Sequence, residues 1–159
     1  MKIGIIIIFR NNESSIKVEN LAKHMQSADF VKFCLVDNNS KDNTIQLLNE
    51  IKENCTDKVE IVEIKKMVSE PMAKRAGARY LFSNYNLKYI GFINLASLQK
   101  TDKSLDEILE HIVKNKEFMA ELKTKIDKNN PKPNFFKGII SIVDSEKKIN
   151  KYRALKPSL

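Results

Sequence analysis

Short runs of β-branched and other apolar residues alternate with amphipathic segments along the 159 residues of this chain. The first run, Ile3–Phe9, is unbroken, a pattern typical of a strand buried on both faces of a parallel sheet. Similar runs predict four further strands, at residues 31–36, 59–64, 89–93 and 135–143. Since helical periodicity separates them, the sequence predicts an α/β fold: a Rossmann-like, mostly parallel sheet flanked by helices and joined by right-handed crossovers.

Helix signals mark the segments between these strands. We expect Ser14 or Ser15 to cap the first helix, and Pro71 to occupy the first turn of the third. Ser104 and Glu107 have the spacing of a capping box. The apolar faces of the helices are predicted to contain Val18, Leu21, Ala22 and Met25; Ile45, Leu48 and Ile51; Met72, Ala73, Ala76 and Tyr80; Leu105, Ile108, Leu109 and Ile112; and Phe118, Leu122 and Ile126. Residues 144–152 predict a C-terminal hairpin.

Composition and charge place the chain among globular proteins. Apolar residues make up 42% and charged residues 30%, and no apolar run approaches the roughly 20 residues that cross a bilayer. We therefore expect one domain over residues 1–159, a cytoplasmic location and no transmembrane segment. The net charge of +8 suits a phosphate-bearing ligand, whereas the dispersed lysines argue against nucleic acid as a partner. Cys34 and Cys55 lack metal-type spacing and are expected to be buried thiols.

A polar turn over residues 37–43 follows the second predicted strand. In doubly wound sheets ligands bind beyond the carboxyl ends of the strands, so residues 10–13, 37–43 and 94–97 are the candidate binding loops. The carboxylate of Asp37 can accept a hydrogen bond from a base N–H or a ribose hydroxyl there, and the asparagines that follow tolerate unusual backbone angles. The alternative is an Asx-type turn that only caps the next helix.

Several segments, taken together, resemble one protein family. The opening strand with Arg10-Asn11-Asn12-Glu13 is similar to the first strand and Asn-Glu loop of family 2 glycosyltransferases, and residues 36–44 to their Val-Asp-Asp-Gly-Ser-x-Asp-x-Thr signature. Residues 72–77 and 89–93 resemble the helix and strand that precede the metal-binding motif of that family. The resemblance covers about the first two thirds of the chain.

The resemblance implies a GT-A fold that binds a nucleoside diphosphate sugar, most simply a UDP-sugar, and transfers the sugar to an unknown acceptor. By this resemblance, the nucleotide-binding residues are Arg10, Asn11, Glu13, Asp37, Asn39, Lys74, Arg75 and Asn94. Lys74 or Arg75 would face the diphosphate; the alternative for both is a solvated helix face. No catalytic residue is assigned.

The chain departs from the family where the metal should bind. The family has Asp-x-Asp, which holds Mg²⁺ or Mn²⁺ against the two phosphates, but this sequence has Asn94-Leu95-Ala96. No metal ligands are therefore assigned, although Asp102 could substitute if its loop folded back. The acceptor-binding half that usually supplies a carboxylate base also has no clear counterpart, because Asp144 lies in a predicted turn. His24 and His111 are expected at the surface or in packing.

Three classes of function fit these features. The first is a glycosyltransferase, and the second is a catalytically degenerate GT-A domain that binds nucleotides. The third is a protein-interaction module on the same scaffold. The Asp37 turn favours the first two over the third.

Overall fold

The computed structural model describes residues 3–114, 120 and 139–142, which contain five strands and five α-helices. The strands are β1 (Ile3–Phe9), β2 (Val31–Asn38), β3 (Val59–Ile64), β4 (Tyr89–Asn94) and β5 (Ile139–Ser141). The helices are α1 (Val18–Ser27), α2 (Thr44–Asn54), α3 (Glu70–Asn84), α4 (Leu95–Leu98) and α5 (Leu105–Lys114). A 3-10 turn over Glu13–Ser15 precedes α1.

The strands form one sheet in the order β3-β2-β1-β4-β5, and every neighbouring pair is parallel. The chain begins in the centre at β1, adds β2 and β3 on one side, and returns to add β4 on the other. The direction in which successive strands are added to the sheet therefore reverses between β1 and β4. The carboxyl ends of these two strands form the switch point of the sheet. This arrangement confirms the predicted α/β class.

Both faces of the sheet are covered, so the central strand is apolar throughout. All seven residues of β1 are buried. Ile5, Ile7 and Phe9 belong to the core shared with α1, α2, α4 and α5, whereas Ile6 and Ile8 belong to the core shared with α3. Because alternate residues of a strand point to opposite faces, α3 lies on the opposite face from α1, α2 and α5.

Two helix predictions need correction. Neither Ser14 nor Ser15 caps α1: both lie in the 3-10 turn, and α1 begins at Val18, after Lys17, without a side-chain cap. In α3 the buried face consists of Ala73, Gly77, Ala78 and Leu81, whereas the predicted member Met72 is 55% exposed. Small residues face the sheet there because the helix backbone approaches it closely.

Other local predictions are confirmed. Pro71 lies in the first turn of α3, and Ser104 and Glu107 form the reciprocal capping-box hydrogen bonds at the start of α5. Cys34 and Cys55 are both buried and free.

The predictions near the C-terminus are tested only at β5, which pairs in parallel with β4. The helix predicted through Phe118, Leu122 and Ile126 and the hairpin predicted at residues 144–152 lie outside the described residues. Among the helices of the described part, none is long and apolar enough to cross a membrane.

Candidate functional site

Hydrogen bonds tie the loops after β1 and β2 to each other at the carboxyl edge of the sheet. The backbone N–H of Asn11 donates to Ser40 Oγ at 2.9 Å, and the N–H of Lys41 donates back to Asn11 Oδ1 at 2.7 Å. A second reciprocal pair joins Glu13 to the same loop: Asn43 N–H donates to Glu13 Oε2 at 2.7 Å, and Glu13 N–H donates to Asp42 Oδ2 at 3.2 Å. The two loops therefore form one hydrogen-bonded unit.

Asp37 lies at the base of this unit, near the end of β2. The residue is only 2% exposed. Its Oδ2 accepts the backbone N–H of Ser40 at 3.2 Å, and its Oδ1 accepts the Ser40 hydroxyl. The Asx-type turn that was the alternative interpretation of this segment is therefore present, but it does not cap α2, which begins at Thr44 after Asn43. Because each carboxylate oxygen can accept about two hydrogen bonds, this turn leaves acceptor capacity on both oxygens.

Two asparagines in these loops adopt left-handed backbone conformations. Asn11 has φ 51° and Asn39 has φ 58°, the only positive φ angles among non-glycine residues in the part of the chain that the structure describes. Asparagine tolerates this region better than most residues, although it still costs energy. Such conformations are often found at binding sites, where the surrounding structure holds them.

Beneath the loops lies a buried polar layer that the sequence reasoning did not single out. Asn12 is 4% exposed and Thr44 is fully buried. The N–H of Asn12 donates to Thr44 Oγ1 at 2.8 Å, and Asn12 Oδ1 accepts the N–H of Arg10 at 2.6 Å. Asp42 Oδ1 in turn accepts the N–H and hydroxyl of Thr44. Burial raises the pKa of Asp42, but the hydrogen bonds from Thr44, together with those from the backbone N–H groups of Glu13 and of Asp42 itself, outweigh burial and hold that pKa below its ordinary value.

Arg10 provides positive charge above this layer. Its side chain is exposed, and among the residues that the structure describes no hydrogen bond or ion pair engages its guanidinium. The fork of the guanidinium is therefore available to an anion at the carboxyl end of β1.

Asn94, at the carboxyl end of β4, is occupied by internal contacts. Its Nδ2 donates to the carboxylate of Glu70 in the first turn of α3, and its Oδ1 accepts the N–H of Ala96 at 3.0 Å as the cap of α4. Glu70 was not predicted, because its role depends on contact with a residue 24 positions away. Residues 94–97, expected to be a loop, are the end of β4 and most of α4.

The two basic residues of α3 diverge. The ammonium of Lys74 lies 4.3 Å from the ring centroid of Phe92, which precedes Asn94 by two residues on β4. Arg75 is exposed and lines a shallow groove along α3 together with Met72 and Arg79. Lys74 is therefore the one that contacts β4 near its carboxyl end.

The side chains at the carboxyl end of β4 do not provide suitable ligands for the divalent metal of the family. Both polar groups of the Asn94 side chain are engaged, and Ala96 has no ligand atom. Among the described residues, no group of three or more histidine, cysteine, aspartate or glutamate side chains is placed to hold a metal ion.

No protein-family model and no curated protein matches this sequence. Among solved structures, the chain is similar to residues 1–349 of TarS from S. aureus, with a TM-score of 0.50 and 16% identity over 81% of this chain and 33% of that one. The same TarS fragment in complex with UDP-GlcNAc gives a TM-score of 0.49 at 15% identity, covering 81% and 32%. A mannosyltransferase from Pyrobaculum calidifontis, in complex with GDP-Man and Mn²⁺, gives 0.44 at 18% identity, covering 50% and 24%.

The likeness to TarS 1–349 concerns the fold alone. The described part of the chain has a glycosyltransferase-like α/β fold with a parallel sheet flanked by helices. The chain spans about one third of the length of the TarS fragment that it matches.

Proposed function

We propose that this chain is a GT-A-type domain, similar to those of family 2 glycosyltransferases, that binds a nucleoside diphosphate sugar at the carboxyl ends of β1, β2 and β4. A UDP-sugar is the proposed donor, and the proposed reaction is transfer of its sugar to an acceptor. The fold likeness to TarS 1–349 agrees with this proposal.

The observation that carries the proposal is the placement of Asp37. Its carboxylate is held by two hydrogen bonds from Ser40 at the edge where doubly wound sheets bind ligands. A base N–H or a ribose hydroxyl would use the remaining acceptor positions after a local movement of the loop, because Asp37 is only 2% exposed. Because the loops are already tied together, little ordering is needed on binding, which favours affinity.

Positive side chains in this proposal replace part of the charge that a metal supplies in the family. Arg10 is available at the end of β1, and Lys74 lies beside β4. Since the Asn94 segment does not fit a divalent cation, we propose that nucleotide binding is independent of metal. The positively charged side chains of Arg10 and Lys74 would each attract the diphosphate electrostatically.

The test is a calorimetric titration with UDP, GDP and their sugar conjugates, with and without Mn²⁺, on the parent protein and on Asp37→Asn. Loss of the charge-assisted hydrogen bonds should weaken UDP binding by roughly ten- to a hundredfold. Asp29→Asn is the matched control. Asp29 precedes β2, at the amino ends of the strands and away from the candidate site, and its side chain is 94% exposed. We expect Asp29→Asn to bind UDP like the parent.

Two results would contradict parts of the proposal separately. Equal UDP affinity in Asp37→Asn and the parent would remove Asp37 from the site. A large gain in affinity with Mn²⁺ would show that carboxylates elsewhere, such as Asp102, provide a metal site. Absence of binding by every nucleotide would reject the proposed function.

A further inference from the structure

A cavity of about 370 Å³ lies between α1, α4 and α5. Ser15 and Lys17 line it from the segment after β1, and Leu98 and Gln99 line it from the segment after β4. It therefore lies beside the switch point, where the connections from β1 and β4 diverge. Its size falls within the roughly 300–1,000 Å³ range of small-molecule sites.

The cavity combines an apolar floor with two exposed amide side chains. Leu95, Leu98 and Leu105 are buried and form its apolar part. The side-chain amides of Asn20 and Gln99 also line it, and neither forms a hydrogen bond to another of the described residues. This differs from the loops around Asp37, whose polar groups largely satisfy one another.

Asp106, in the first turn of α5, supplies a carboxylate to the same cavity. Its Oδ1 is shielded from solvent and accepts no hydrogen bond from the described residues, although the side chain as a whole remains 27% exposed. Because water does not reach Oδ1, a ligand in the cavity would contact the exposed part of the carboxylate instead. The nearest opposite group is His24 Nε2 on α1, at 3.6 Å, a distance beyond an ordinary hydrogen bond. This pair was not predictable from sequence, because 82 positions separate the two residues.

These groups have the chemistry to bind hydroxyls. A carboxylate and two amides can accept from and donate to the hydroxyls of a sugar, and leucine side chains can cover its C–H surface. Lys17 and Lys103 line the same cavity, so the carboxylate of Asp106 is not its only charge. The cavity also adjoins the candidate nucleotide site, because Ser15 and Glu13 belong to the same 3-10 turn.

We propose that this cavity binds a small carbohydrate, with Asp106 as acceptor of its hydroxyl groups and with Asn20 and Gln99 as amide contacts. The carbohydrate would be the hydroxyl-bearing acceptor of the sugar transfer, an assignment that rests on the proposed function. This position places an acceptor within the chain itself, on the α1 and α5 face of the sheet.

The experiment is a titration of the ¹⁵N-labelled chain, followed by amide NMR, with N-acetylglucosamine and with maltose, and separately with UDP. Saturable shifts at Leu98, Gln99 and Asp106 are expected with at least one of the sugars. Asp106→Asn should weaken that binding about tenfold or more. Glu50→Gln, which changes an exposed carboxylate on α2, should leave it unchanged.

Gln99→Ala provides a second test outside α5, since Gln99 is exposed and follows α4. It should also weaken sugar binding while thermal unfolding stays close to that of the parent. If neither sugar shifts residues of the cavity, or if Asp106→Asn and Gln99→Ala both bind like the parent, the inference is overturned. UDP binding without sugar binding would overturn it while leaving the proposed function intact. Sugar binding without UDP binding would retain the site and reject its role as an acceptor site.

Discussion

The amide of Asn94 donates a hydrogen bond to the carboxylate of Glu70, joining the carboxyl end of β4 to the first turn of α3. In the family that the sequence resembles, this position begins the acidic metal-binding motif. Here an acidic residue at position 94 would bring two carboxylates together. The contact therefore explains in physical terms why an amide is compatible with this site.

Asn94→Asp should consequently destabilise the chain in the absence of metal. The change replaces a donor–acceptor pair by two negative charges and should lower the free energy of unfolding by about 1–3 kcal/mol at neutral pH. Urea unfolding followed by circular dichroism measures the difference, since the chain contains no tryptophan. The double variant Asn94→Asp, Glu70→Gln should recover most of the loss. If Asn94→Asp is as stable as the parent and the double variant shows no recovery, the contact does not bind β4 to α3.

The conformation of Asn39 leads to a second prediction. Since its φ is 58°, Asn39→Ala should reduce stability by about 1–2 kcal/mol, whereas Asn39→Gly should be close to neutral because glycine adopts this region freely. Asn49→Ala is the matched control, because Asn49 is an exposed residue in the interior of α2, where alanine is favoured. Urea unfolding curves of the three variants test this order. Equal stability of Asn39→Ala and Asn39→Gly would show that the turn relaxes when the side chain is removed.

The strands could be predicted from the sequence because apolar β-branched runs identify them directly. The bounds of β1 and β3 agree with the prediction at both ends. The buried face of α3 was harder, because its packing depends on small residues. A Cβ on Gly77 would lie 2.9 Å from Ile6 Cγ2 and 3.0 Å from Val36 Cγ2, and no hydrophobic periodicity indicates such a close approach.

The site was predictable only where it is local. The Asp37–Ser40 turn follows from four consecutive residues, and the structure contains it. By contrast, the contacts of Glu70 with Asn94 and of His24 with Asp106 join separate elements. Their partners depend on the crossover geometry, which a single sequence does not provide.

Glu60 on the edge strand β3 is the centre of a polar cluster at which we expect a pH-dependent contribution to stability. Its carboxylate accepts hydrogen bonds from the hydroxyls of Tyr80 and Tyr85 and lies 3.1 Å from Lys52 Nζ and 3.7 Å from Lys32 Nζ. Burial raises the pKa of Glu60, but the hydrogen bonds from Tyr85 and Lys52 and the charges of Lys52 and Lys32 outweigh burial. The pKa of Glu60 in the folded chain is therefore lower than its ordinary value of 4.5.

A carboxylate whose pKa is lowered by folding stabilises the native state above its unfolded pKa and loses that contribution as the pH falls through the folded pKa. Glu60→Gln should therefore cost about 1–2 kcal/mol at pH 7, where a neutral amide cannot replace both tyrosine contacts and the lysine charges. The deficit should shrink below about pH 4.5, where the unfolded parent begins to bind protons. Urea unfolding of both proteins from pH 3 to pH 7 gives this difference directly. Glu53→Gln, at an exposed site on α2, is the control, and its free energy of unfolding should not approach that of the parent as the pH falls. If the deficit of Glu60→Gln stays constant with pH, lost packing and not charge accounts for the lower stability.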